Sequence, residues 1–121
     1  MGVVYGLYST RDGRVRYVGQ TEYTAKKRLD RWRTDALERK PSRVSEWIQG
    51  EWRGGFEVEA WPLQDDIIPA DLEMFENHWI EQFSDLLNAR APADPGRTET
   101  DVGRMMNSAI AAHLRGGDGA N

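Results

Sequence analysis

The run Phe56-Glu57-Val58-Glu59-Ala60-Trp61 alternates apolar and polar positions, and a period of two predicts a strand with one wet face. Two further strands are written differently. Val3-Val4-Tyr5-Gly6-Leu7-Tyr8 is a continuous block of β-branched and aromatic types. Arg14-Val15-Arg16-Tyr17-Val18-Gly19 follows Thr10-Arg11-Asp12-Gly13, whose Asp-Gly is a turn signal, so the two runs predict a hairpin at the start of the chain. Elsewhere the period lengthens. Ala25, Leu29, Trp32 and Ala36 recur at three- and four-residue spacing and mark the buried face of a helix over about 25–39, with Thr24 as its N-cap. Pro41-Ser42 breaks the chain before a second helix over about 42–52 that carries Val44, Trp47 and Ile48, and Arg53-Gly54-Gly55 turns it. Pro69 leads into a third helix over about 70–85.

Beyond Asn88 the chain turns to Ala, Pro, Asp, Gly and Thr, which predicts a linker over 91–100, a short helix over 101–114 and a flexible tail from Gly116. The order β-β-α-α-β-α predicts an α+β fold, a three-stranded antiparallel or mixed sheet flanked by helices. Its domain would cover residues 1–90, with 91–121 as linker, short helix and tail.

Composition narrows the chemistry. The 121 residues suit one domain, and five Trp, four Tyr and three Phe can fill a compact core. With no cysteine, disulfides, thiol catalysis, iron–sulfur clusters and cysteine-based zinc sites are excluded. His78 and His113 lie far apart, which argues against a histidine-rich metal site. No apolar run approaches a membrane span, and Met1-Gly2 opens neither a basic lead-in nor an apolar h-region. The expectation is an intracellular, cytoplasmic protein with no membrane partner. The net charge of −4 conceals a division along the chain. Residues 1–55 hold twelve basic residues against seven acidic ones, whereas residues 56–121 hold four against thirteen. The basic half contains the hairpin and first helix, where a phosphate backbone could be met.

One residue breaks its own pattern. Leu72, Phe75, Trp79, Phe83 and Leu86 form an apolar helical stripe, and Glu76 falls inside it, while Glu73, Asn77, Glu81 and Asp85 fall outside. A carboxylate on a core-facing stripe is costly unless paired, hydrogen-bonded or metal-bound. Two accounts fit: a Glu at the stripe's edge that reaches water or an arginine, or the carboxylate of a site. Arg28 stands one turn before Trp32 at the margin of the first helix's buried face, and Tyr5, Tyr8 and Tyr17 lie in the hairpin. Taken singly, each of these is an ordinary surface or packing residue.

Taken in order they form a pattern. Tyr17-Val18-Gly19, then Gln20-Thr21, Arg28-Leu29, Glu76-Asn77-His78-Trp79-Ile80 and Asn88 together resemble the GIY-YIG nuclease superfamily, over about residues 3–88. Its first signature falls either on Val3-Val4-Tyr5, which leaves eleven residues before Tyr17, or on Gly6-Leu7-Tyr8, which leaves eight. The longer gap suits the family better and assigns Tyr5, with Tyr8 as the fallback. The two are three apart in a strand and so face opposite ways. The resemblance implies a metal-dependent DNA endonuclease that hydrolyses phosphodiester bonds. Glu76 would anchor one Mg²⁺ or Mn²⁺ ion. Tyr17 or Tyr5 would help deprotonate the attacking water, and Arg28 would hold the scissile phosphate. Gly19, Gln20 and Lys27 would support substrate binding, and Asn88 would brace the site. Many members carry a histidine four residues after the arginine, where this chain has Trp32. The alternative is therefore a catalytically inactive relative that binds nucleic acid or protein. With no added DNA-binding domain in view, specificity would come from a homodimer or a partner protein, and so small a domain fits a phage or mobile-element setting.

Overall fold

In the computed structural model, residues 1–88 and 98–116 are described. Three strands, β1 (Gly2–Ser9), β2 (Val15–Thr21) and β3 (Val58–Ile67), form one antiparallel sheet in the order β2-β1-β3. Four helices cover it: α1 (Ala25–Leu37), α2 (Arg43–Arg53), α3 (Leu72–Ile80) and α4 (Asp101–Gly116). The fold is therefore α+β, and the sheet is antiparallel throughout.

Because β1 is central, both of its faces are covered, which is why its sequence is apolar without alternation. Val4 and Tyr8 point to one side, where they pack with Leu72, Trp79 and Ile80 of α3 and Ile110 of α4. Tyr5 and Leu7 point to the other, where they meet Leu29 and Ala36 of α1 and Val44 and Ile48 of α2. The helices begin on side-chain caps: Thr24 accepts from the Lys27 amide at 3.0 Å, and Ser42 accepts from the Ser45 amide at 3.0 Å.

Several boundaries differ from the expectation. β3 does not stop at Trp61 but continues through Pro62 to Ile67. Proline is tolerated because β3 is an edge strand and its pairing with β1 shifts register between Val4 and Tyr5, beside Pro62. The third helix begins with a 3₁₀ turn at Pro69–Asp71 and ends at Ile80, well short of residue 85. Asp85 then takes a φ of 59° and turns the chain back along β2. Phe83 still reaches the core (1% exposed), so the apolar stripe outlasts the helix.

The returning segment is bound to the outer edge of β2. The Leu87 amide donates to the Arg16 carbonyl at 2.7 Å, and the Arg16 guanidinium Nε donates to the Asp85 carbonyl at 2.9 Å. Asn88 then engages both backbone groups of Val18. Its Oδ1 accepts from the Val18 amide at 3.0 Å, and its Nδ2 donates to the Val18 carbonyl at 2.7 Å.

The helix expected over 101–114 runs to Gly116 and shares the core with the residues before 90. Ile110 is completely buried, Gly103 lies against the Gln82 carbonyl, and Asn107 Oδ1 accepts from the Val15 amide at 2.9 Å. Residues 91–97 of the expected linker and 117–121 of the expected tail lie outside the described residues. Among the described residues no helix is long and apolar enough to cross a membrane.

Membership of α4 in the core has a measurable consequence. Ile110→Ala should destabilise the protein by about 3 kcal/mol, the usual cost of truncating a buried aliphatic side chain. Met105→Ala, at a position 70% exposed on the same helix, should change stability by less than about 0.5 kcal/mol. Denaturant unfolding of both variants checks this, and equal effects would contradict the packing of α4.

Candidate functional site

The site is built on one point of strand register. Tyr5 of β1 pairs directly with Gly19 of β2. Tyr17 precedes Gly19 by two residues and therefore shares its face. The rings of Tyr5 and Tyr17 close over the glycine, their centroids 6.4 Å apart and their planes at 49°. A Cβ at Gly19 would come within 2.5 Å of the Tyr5 hydroxyl oxygen and 2.9 Å of Tyr17 Cε2. The absence of a side chain is thus what allows both rings to occupy this place.

Helix α1 supplies the next layer. Trp32 meets Tyr17 edge to face, with centroids 5.3 Å apart, and donates its indole N–H to the Tyr5 hydroxyl at 3.0 Å. Arg28, one turn earlier, lays its guanidinium over the Trp32 ring at 5.1 Å. This places a positive charge beside the tyrosine pair.

The negative charge comes from the other side of the sheet. Gln20 points away from Gly19 and donates from Nε2 to Glu76 Oε1 at 3.2 Å. Because β2 is an edge strand, the α3 carboxylate can influence the tyrosines on the opposite face. Glu76 is half-buried, and among the described residues its Oε2 has no hydrogen bond or ion pair.

These charges act on the phenols. Tyr5, 1% exposed, has its pKa pushed up to about 12. Burial is the main cause; the Trp32 hydrogen bond and the Arg28 charge pull the other way, while Tyr17 and Glu76 push with burial. The Tyr17 phenol is also raised, first by burial and then by Glu76, against an opposing pull from Arg28. Both are neutral phenols at physiological pH.

Tyr5, Tyr17, Gly19, Gln20, Arg28 and Glu76 are therefore brought together. Lys27 lies beside Arg28 on the exposed side of α1, its ammonium 5.7 Å from the Tyr23 ring. Asn88 braces Val18, immediately before Gly19. Tyr8 does not join them. It points to the α3–α4 side, edge to face with Trp61 at 6.4 Å, because an odd separation from Tyr5 reverses its direction in the strand. Tyr8, the fallback for the first signature tyrosine and a candidate supporting residue, is thus not brought to this site.

Trp32 is the residue that sequence reasoning undervalued. Its place four after Arg28 was visible, and a buried indole N–H needs an acceptor, but which acceptor depended on the hairpin register. Among the described residues no three or more His, Asp or Glu side chains gather to form a metal cage. What Glu76 offers is a single hard carboxylate, which suits a cation such as Mg²⁺ that keeps most of its water. Compared with known proteins, the chain matches no family model, no curated protein and no solved structure.

The buried phenol makes stability depend on pH. The unfolded chain loses the Tyr5 proton near the ordinary value of 10.0, and the folded chain keeps it to about 12. This contribution is complete below pH 10 and declines as pH rises through that window, so denaturant titrations should show alkaline weakening that is smaller in Tyr5→Phe. Trp32→Phe removes a bond that lowers the Tyr5 pKa, and should move its phenol titration higher still by ultraviolet absorbance.

Proposed function

We propose that the chain is a metal-dependent DNA endonuclease of the GIY-YIG type, hydrolysing a phosphodiester bond at the surface between Tyr17, Arg28 and Glu76. The observation that carries this reading is the convergence of those three side chains, from β2, α1 and α3, around the Tyr5–Gly19 pair. A structural pairing would leave little reason to keep Arg28 off any carboxylate. Among the described residues Arg28 forms no ion pair and rests on Trp32 instead.

Each residue has a distinct task in such a reaction. Arg28 holds non-bridging oxygens of the scissile phosphate and offsets the charge that grows there, for which a planar guanidinium is suited. Glu76, oriented by Gln20, would hold a Mg²⁺ or Mn²⁺ ion. A bound divalent cation supplies Lewis acidity and makes nearby water more acidic. Tyr17, half-buried and neutral, orients the attacking water through its hydroxyl and can pass a proton on towards the Glu76 carboxylate. Tyr5 is a positioning residue, buried and fixed by Trp32, and it holds the Tyr17 ring over Gly19.

One observation favours a second reading, a binding module without catalysis. The indole of Trp32 occupies the turn after Arg28, and its hydrogen bond ties up the Tyr5 hydroxyl as an acceptor. On that reading Arg28 would still bind phosphate, but no phenol would serve as a proton relay.

Plasmid and branched DNA incubated with Mg²⁺ or with EDTA separate the two. The nuclease reading expects metal-dependent nicking that falls at least about a hundredfold in Glu76→Ala and in Arg28→Ala. Tyr17→Phe should reduce it by about a hundredfold, and Tyr8→Phe should leave it unchanged. DNA binding without nicking under Mg²⁺ or Mn²⁺ would establish the binding module.

A further inference from the structure

Beside Arg28 the surface opens into a cleft of about 430 Å³ lined by Thr21, Tyr23, Lys27, Arg28 and Arg31. That volume falls within the range of small-ligand sites. Tyr23 is its conspicuous member, because 71% of it is exposed. A tyrosine that buries so little adds little to folding. Yet it is held in place: its amide donates to Thr21 Oγ1 at 3.0 Å, and the Lys27 ammonium stands 5.7 Å from its ring centroid.

Two of the three cations around Tyr23 are uncompensated. Among the described residues neither Lys27 nor Arg28 has an ion-pair partner. Arg31 reaches only Asp35, at 3.5 Å, one turn away from the cleft. The first turn of α1 contains no acidic residue, and among the described residues no carboxylate lines the cleft. Three cations and a largely exposed aromatic ring thus share one concavity. Cations there select an anion, and an open ring selects a flat π-system; a nucleotide provides both. Bases inside a duplex are covered on both faces by their neighbours, so only an unpaired base can lie on Tyr23 without the cost of unstacking.

We propose that this cleft is a subsite for an unpaired nucleotide of a DNA strand, with its base stacked on Tyr23 and its phosphates held by Lys27, Arg28 and Arg31. The inference rests on the nuclease reading for the chemistry of the substrate, since Arg28 belongs to both places. It adds the substrate's form: a junction between duplex and single strand, with the scissile phosphate at Arg28 and the unpaired nucleotide beyond it.

Binding without cleavage tests the subsite. Fluorescence anisotropy in EDTA compares a forked DNA with a blunt duplex of the same sequence, for the wild type, Tyr23→Ala and Tyr23→Phe. The wild type should prefer the fork. Tyr23→Ala should weaken fork binding on the order of tenfold, leave blunt-duplex binding unchanged and melt at the wild-type temperature, while Tyr23→Phe keeps the preference. Equal affinity for the two DNAs, or a Tyr23→Ala variant that binds the fork like the wild type, would overturn the proposal. Cleavage by the wild type in Mg²⁺ is scored separately. Fork preference without cleavage leaves the subsite standing and removes the nuclease reading, whereas cleavage without fork preference does the reverse.

Discussion

The contact between Gly19 and the two tyrosine rings fixes everything assembled around it. Were β2 to slip by one residue, Tyr17 and Gly19 would exchange faces with Val18 and Gln20. Val18 would leave the α3–α4 core, Gln20 would lose Glu76, and Tyr5 would meet a side chain where it now meets none. Register is therefore a condition of the site as much as of the sheet. It is secured twice, by the hairpin on one side of β2 and by Asn88 on the other. Asn88 satisfies both the donor and the acceptor of a single residue, which a water molecule could do only with less directional constraint.

The charge pattern follows from the same geometry. The basic first half of the chain puts Arg28 on one face of the sheet, and the acidic second half puts Glu76 on a helix against the other. In a wide sheet those charges would be insulated from one another by strands. Here only the edge strand β2 separates them, and Gln20 and Tyr17, on its opposite faces, connect them. Opposite charges act on one half-buried phenol, and burial together with Glu76 outweighs Arg28 and keeps it neutral.

Much of this was legible in the sequence because the relevant rules are local. Alternation along a strand already separates Tyr5 from Tyr8, and helical spacing already places Glu76 among Leu72, Phe75 and Trp79. The failures were tertiary. Pro62 reads as the end of a strand unless β3 is known to be an edge with a register shift. Phe83 and Leu86 keep helical spacing beyond Ile80 because the turn that follows still crosses the same core, and periodicity cannot distinguish a helix from a chain that merely remains in contact. The hydrogen bond from Trp32 to Tyr5 and the exposure of Tyr23 depend on which neighbours approach from elsewhere in the chain. No single segment encodes them.

The segment that returns along β2 also determines how copies of this chain can meet. Asn107, Leu87 and Asn88 occupy backbone groups of Val15, Arg16 and Val18 that an incoming strand would need on that side. On the opposite side of the sheet β3 presents Pro62, which has no amide hydrogen, and the neighbouring charges of Asp65 and Asp66. A three-stranded sheet closed in this way cannot readily grow into a continuous six-stranded one. A symmetric pairing of two molecules through their helices would instead leave each hairpin and its cluster of tyrosines complete within its own chain.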